Sequence, residues 1–235
     1  MMNLLLLSSS RAHNSEYLAP NLQLIDEFLG STRSLLFIPY AGVRIQYDDY
    51  QAMVQTALTP LGIQVDSSHR HADPALAVAN AQAICVGGGN TFVLLQKLYE
   101  LGLMTAIRQK SLQGTPYLGW SAGSNIAGPT IRTTNDMPIV APPSFDALNL
   151  VPFQLNPHYT DFVPVGFHGE TRDMRLAEFM TVDPLTPILG LPEGCAIHRQ
   201  GSALQYIGNE PARLFLQGEK TLVAANTDVS SLLGR

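Results

Sequence analysis

A mostly parallel β-sheet flanked by helices is the fold class this sequence predicts. Three observations predict it. Short apolar runs of strand length alternate with helix-patterned segments through the first two-thirds of the chain. Several of these runs stop abruptly in serine, proline or glycine, as buried strands do where the chain leaves a sheet. Beyond about Pro157 the pattern changes to short alternating runs separated by glycine turns, which reads as antiparallel strands at the carboxyl end.

The elements follow in order. Residues 4–7 are four leucines ending in Ser8-Ser9-Ser10, a buried strand. Apolar residues recur at three- and four-residue steps over 17–29, which predicts a helix. Residues 34–38 form a strand closed by Pro39, 48–61 a helix and 63–65 a strand. Asp73-Pro74 is an N-cap followed by proline at the first helical position. Residues 83–86 form a strand that runs into Gly87-Gly88-Gly89-Asn90, and helices follow over 91–101 and 104–113. The strand at 117–120 runs straight into Ser121-Ala122-Gly123. Later come a short apolar run at 151–155, a helix at 172–180 and a strand at 188–191. Antiparallel strands are expected at 196–198, 204–207, 213–216 and 221–224.

The chain has 235 residues, which suits one α/β domain over 1–235. Hydrophobic residues make up 46% and charged residues 14%, against a usual charged share of about 25%, which excludes a disordered or coiled-coil chain. The net charge is −5 and the basic residues are scattered, so no nucleic-acid footprint is present. Two cysteines, Cys85 and Cys195, make no disulfide framework. The leucine run near the amino terminus lacks a cationic start and is too short for a signal peptide. No apolar stretch is long enough to span a membrane. A cytoplasmic protein, monomer or homodimer, is the expectation.

In open parallel sheets, sites form beyond the carboxyl ends of the strands. Gly119-Trp120-Ser121-Ala122-Gly123 stands there and fits G-x-S-x-G, the nucleophile elbow. A serine on so sharp a strand-to-helix turn needs small neighbours two residues away on each side, because the backbone passes close to itself. The glycines at 87–89 bring bare N–H groups close to a ligand. Gly88, Gly89 and Ala122, the residue after the serine, are therefore the candidate oxyanion donors. The glycine run lacks the lysine of a Walker A loop and the spacing of a dinucleotide fingerprint.

A nucleophilic serine needs a base. Of six histidines, His158 sits on a rigid Asn156-Pro157 turn directly after an apolar run, with His168 as second choice. His69 and His71 read as surface histidines and His198 as a half-buried structural one. For the carboxylate that orients the base, Glu193 has the better strand-end placement, in a Pro-Glu-Gly turn, and Asp136 is the rival.

With these pieces placed, the chain resembles peptidase E, the α-aspartyl dipeptidase family of serine peptidases. The matching blocks include Phe37-Ile38-Pro39-Tyr40-Ala41-Gly42-Val43, Gly87-Gly88-Gly89-Asn90-Thr91-Phe92, the elbow, Arg132-Thr133-Thr134-Asn135-Asp136-Met137-Pro138, Asn156-Pro157-His158, Gly169-Glu170-Thr171-Arg172 and Gly190-Leu191-Pro192-Glu193-Gly194. They keep one order from the start to about residue 194. One departure lies behind the serine, where Ser124-Asn125-Ile126-Ala127-Gly128 replaces the commoner Ala-Asn-Leu-Ala-Cys.

The resemblance implies a fold related to class I glutamine amidotransferases and a Ser–His–Glu triad on Ser121, His158 and Glu193. It also implies dipeptide substrates with amino-terminal aspartate, and no metal or organic cofactor. The order Ser, His, Glu differs from the Ser, Asp, His of α/β-hydrolases. The substrate's carboxylate calls for a guanidinium; Arg132 and Arg172 lie in matching blocks, and Asn90 and Asn156 are candidates for its amino group or backbone. Two other readings stand beside this one. They are a cyanophycinase-like β-aspartyl peptidase and a non-enzymatic module that holds an anion on the glycine turn.

Overall fold

The structure, a computed structural model, describes residues 1–234. Its first strand, β1 (Asn3–Leu7), explains why the sequence begins with a leucine run. Leu4 to Leu7 are all fully buried, because β1 lies inside a sheet covered on both faces. Burying each leucine contributes roughly 1.5–3 kcal/mol. The following elements are α1 (Leu22–Leu29), β2 (Ser34–Ile38), α2 (Tyr47–Leu58), β3 (Gln64–Ser67), α3 (Pro74–Asn80), β4 (Ile84–Val86), α4 (Thr91–Glu100), α5 (Leu103–Leu112) and β5 (Tyr117–Trp120). After them come α6 (Ala122–Asn125), β6 (Gln154–Asn156), α7 (Arg172–Val182), β7 (Ile188–Gly190), β8 (Ala196–Gln200), β9 (Ala203–Ile207), β10 (Ala212–Leu216), β11 (Glu219–Val223) and β12 (Thr227–Asp228).

Eight strands form the large sheet, in the order β12-β9-β8-β1-β5-β4-β2-β3. The stretch from β1 to β3 is parallel, and β8, β9 and β12 extend it antiparallel. The sheet is the mostly parallel, helix-flanked one expected. The antiparallel carboxyl-terminal strands, however, do not form one group. β10 and β11 leave the large sheet and join β7 and β6 in a second sheet, ordered β11-β10-β7-β6. In it β6 and β7 run parallel, with Asn156 opposite Gly190.

Two expected helices are shorter than their apolar spacing, for the same reason. The 17–29 helix begins only at Leu22, after a 3₁₀ turn over Ala19–Asn21 that contains Pro20. The 48–61 helix becomes 3₁₀ over Thr59–Leu61, around Pro60. Proline has no N–H to donate and clashes with the preceding turn, so an α-helix does not run through it. The Asp73 N-cap is as expected, its carboxylate accepting the Leu76 N–H at 2.9 Å. No helix among the described residues is long and apolar enough to cross a membrane. Both cysteines are buried free thiols.

Candidate active site

The large sheet brings Ser121 and the glycine turn together, because β4 and β5 are neighbours and both sit at the carboxyl edge. Ser121 adopts φ 53°, ψ −114°, a region that costs a non-glycine residue about 1–3 kcal/mol. The surroundings impose it. The Ser121 N–H donates to Leu7 O at 3.2 Å, and the Ser124 hydroxyl donates to Leu7 O at 2.6 Å and Gly119 O at 2.9 Å. The flanking glycines answer the steric demand read from the sequence. A Cβ on Gly119 would lie 2.5 Å from Gly123 O, and one on Gly123 would lie 2.1 Å from Val86 O. The helix behind the serine is a single turn, because Gly128-Pro129 disfavours its continuation. What it offers the site is local N–H groups more than a helix dipole.

Gly88 packs against the serine: a Cβ there would lie 2.9 Å from Ser121 Cβ. Gly89 takes φ 136°, and a side chain there would meet Ala41 O at 2.1 Å. The Gly88 carbonyl accepts the Tyr50 hydroxyl at 2.9 Å, which fixes the peptide plane of the turn. Burial pushes the Tyr50 phenol up to about 12, so it stays a donor. Among the described residues, the N–H groups of Gly88, Gly89 and Ala122 donate to no protein acceptor.

The small sheet supplies the other half. His158 follows β6 in the left-handed region, φ 55°, one of the conformations histidine tolerates better than most side chains. Its Nε2 lies 3.0 Å from Ser121 Oγ, and its Nδ1 lies 2.8 Å from Glu193 Oε1. Glu193 follows β7, the strand next to β6. Two further serines hold this pair in place. The buried Ser8 hydroxyl accepts the His158 N–H at 2.9 Å and donates to Leu191 O at 2.8 Å, and Ser9 Oγ accepts the Gly194 N–H at 3.1 Å. Neither serine carries a sequence signal beyond its place at the end of a buried strand.

Asp136 lies elsewhere. Its Oδ2 accepts the Thr91 N–H at 2.7 Å and the Thr91 hydroxyl at 2.6 Å, at the start of α4, and its Oδ1 makes no hydrogen bond among the described residues. It lines a cavity of about 400 Å³ together with Ser121, His158, Thr134, Asn135 and Arg172. Arg172 is half-buried, and burial, helped by Arg175 and opposed by Asp136, lowers its guanidinium from the usual value while leaving it a cation at neutral pH. Arg132 is exposed and is not among the lining residues.

Both asparagines make structural hydrogen bonds, and Asn90 also lines a cavity shared with Ser121 and His158. Asn90 caps α4, its Oδ1 accepting the Val93 N–H at 3.0 Å while Nδ2 donates to Met137 O at 2.9 Å. Asn156 is buried, and its amide donates to Thr133 O at 2.8 Å and Asn135 Oδ1 at 2.9 Å. His168 is exposed in a loop, His69 and His71 pair with Asp48 and Asp66, and His198 lies in β8 against Phe28, where burial lowers its imidazole.

Comparisons with known proteins give the chain's family. The model of peptidase family S51 matches residues 4–207. The chain is 51% identical to peptidase E of Shewanella baltica (strain OS195), covering 99% of this chain and 98% of that one. It is 50% identical to peptidase E of Shewanella denitrificans, with 99% of each covered. Among solved structures, a Listeria monocytogenes EGD-e protein assigned to peptidase E is 27% identical, with TM-score 0.69 over 89% of this chain and 100% of that one. A peptidase from an acI-B1 Actinobacterium, 16% identical, shares the fold with TM-score 0.70 over 97% of this chain and 96% of that one. A family match over most of the chain, near-half identity along its whole length and a serine elbow in the matched region lead to one conclusion: this chain belongs to peptidase family S51 and is a serine-type dipeptidase.

Proposed function

We propose that the enzyme hydrolyses dipeptides that begin with aspartate, through an ester between the aspartyl carbonyl carbon and Ser121. The observation that carries this reading is the hydrogen-bonded chain from Ser121 Oγ through His158 to Glu193, at 3.0 and 2.8 Å. His158 Nε2 takes the serine proton as Oγ attacks. Glu193 holds Nδ1–H, fixing the tautomer and balancing the imidazolium. The unpaired N–H groups of Gly88, Gly89 and Ala122 receive the oxyanion. His158 then gives its proton to the departing amine. Next it takes one from a water that attacks the ester, and it returns that proton to Ser121 as the aspartate leaves.

The cavity beside Ser121 supports aspartate as the acyl half. An amino-terminal aspartyl residue carries one ammonium and one side-chain carboxylate. The cavity offers a free Asp136 Oδ1 for the first and the Arg172 guanidinium for the second. Arg172 thus takes the role that Arg132 shared with it on sequence grounds. The chain acts as one domain in the cytoplasm, a compartment that its two unpaired thiols suit.

The test is turnover by the purified protein of Asp-Leu, β-Asp-Arg and Leu-Leu. Asp-Leu alone is expected to be cleaved well, and Ser121→Ala should lower its kcat by roughly a thousandfold or more. Near-normal turnover by that variant removes the serine mechanism. Preference for β-Asp-Arg removes the aspartyl-dipeptide assignment.

A further inference from the structure

Ser121 stands between two cavities, and the reading above uses only one. The larger measures about 590 Å³, within the range of small-molecule sites. Its wall is largely apolar, built from Tyr17, Val43, Ile45, Met53 and Trp120. No aspartate or glutamate lines it among the described residues, and Arg44 is the one arginine or lysine that does. Arg44 is exposed in the loop after β2 and has no acidic partner; the ion-paired arginines are Arg11, Arg33, Arg70, Arg175 and Arg213.

A dipeptide beginning with aspartate divides at its scissile bond into halves of different charge. The aspartyl half carries one cation and one anion. The leaving half carries a side chain and one free α-carboxylate. The smaller cavity presents one anion and one cation, Asp136 and Arg172, and the larger presents one cation beside an apolar wall. The charges correspond half for half.

We propose that the larger cavity is the subsite for the leaving residue, that its wall takes an uncharged, apolar side chain, and that Arg44 binds the free α-carboxylate. The proposal rests on the aspartyl reading of the smaller cavity. A guanidinium suits this role because it meets a carboxylate with two parallel charge-assisted bonds. It also gives the site a means of measuring length. A third residue would put a neutral amide where Arg44 meets a charge, so dipeptides are favoured over longer peptides.

The experiment compares Asp-Leu with Asp-leucinamide, whose leaving half has no carboxylate, on the full chain and on Arg44→Gln and Arg44→Lys. The wild-type chain should prefer Asp-Leu. Arg44→Gln should lower kcat/KM for Asp-Leu about two- to fivefold, the scale of an exposed charge pair, through KM. Asp-leucinamide should lose far less, so the ratio between the two substrates collapses. Arg44→Lys should restore part of the ratio. A ratio equal in wild type and Arg44→Gln overturns the proposal, as does a wild-type preference for Asp-Lys or Asp-Asp over Asp-Leu. Fluorophosphonate labelling of Ser121 in each variant reports a folded site. Failure of the wild type to cleave either substrate is a different result, and it overturns the aspartyl reading itself.

Discussion

Replacing Glu193 by glutamine removes one charge and almost no volume, and so isolates the electrostatic work of the carboxylate. The carboxylate oxygen lies 2.8 Å from His158 Nδ1. Across that distance, Coulomb's law gives about 1.5 kcal/mol in a water-like medium and about 6 kcal/mol at an effective dielectric constant of 20. The side chains are 38% and 52% exposed, so solvent screens the pair and the lower part of that range applies. An imidazolium that forms only during catalysis should therefore lose about 1.5–3.5 kcal/mol, a fall of roughly 10- to 300-fold in rate. The assay is the second-order rate of Ser121 labelling by a small fluorophosphonate, which needs the serine and its base but no aspartyl side chain. Glu193→Gln should slow labelling by that factor. Asp136→Asn should leave labelling near wild type while raising KM for Asp-Leu, because Asp136 faces the substrate cavity and the start of α4 and has no bond to the imidazole. Slow labelling of Asp136→Asn together with normal labelling of Glu193→Gln would refute this reasoning and make Asp136 the partner of the base.

Two other variants probe the same framework. Arg172→Gln should reduce the preference for Asp-Leu over Asn-Leu, because the neutral isostere never drew on the guanidinium; the ratio of the two kcat/KM values is the measurement, and an unchanged ratio would exclude Arg172 as the carboxylate ligand. Ser8→Ala leaves the His158 N–H and the Leu191 carbonyl without their shared hydroxyl in a buried place, at about 1–3 kcal/mol for each group. It should lower Tm, and it should lower kcat with little change in KM, which a purely structural serine would not do.

Much of the site was legible because its demands are local. Crowding at Gly119 and Gly123 is a matter of a few neighbouring residues, so the elbow shows in five letters. Strand-end reasoning reached the glycine turn, His158 and Glu193 without knowledge of how the sheets pair. It failed where long-range pairing decides. β6 and β7 are three buried residues each, too short to show a period, and nothing local says that they form a second sheet with β10 and β11. The contact between Ser8 and His158 spans 150 positions. Asn156 is a substrate-binding candidate by sequence, yet its amide nitrogen is occupied inside by the 133–135 segment, a pairing that only the tertiary fold creates. Arg132 stands nearer the serine in sequence than Arg172, yet of the two only Arg172 lines the cavity.

The two-sheet construction raises a physical problem, and the end of β1 answers it. Ser121 follows a strand of the large sheet, whereas His158 and Glu193 follow strands of the small one. The proposed proton transfer between them needs alignment within a fraction of an ångström, and independent movement of two sheets would spoil it. Three consecutive residues act as a common reference. Leu7 O accepts the N–H of Ser121, Ser8 Oγ accepts the N–H of His158, and Ser9 Oγ accepts the N–H of Gly194, next to Glu193. Each member of the proposed triad is thus tied, directly or through its neighbour, to one short segment. That segment leaves a strand buried between β5 and β8. Because these bonds go to backbone groups, they fix where each Cα stands and leave the side chains free to exchange a proton. Under the proposed mechanism the four leucines of β1 therefore contribute at a distance: their burial holds the frame against which the serine, the imidazole and the carboxylate are all positioned.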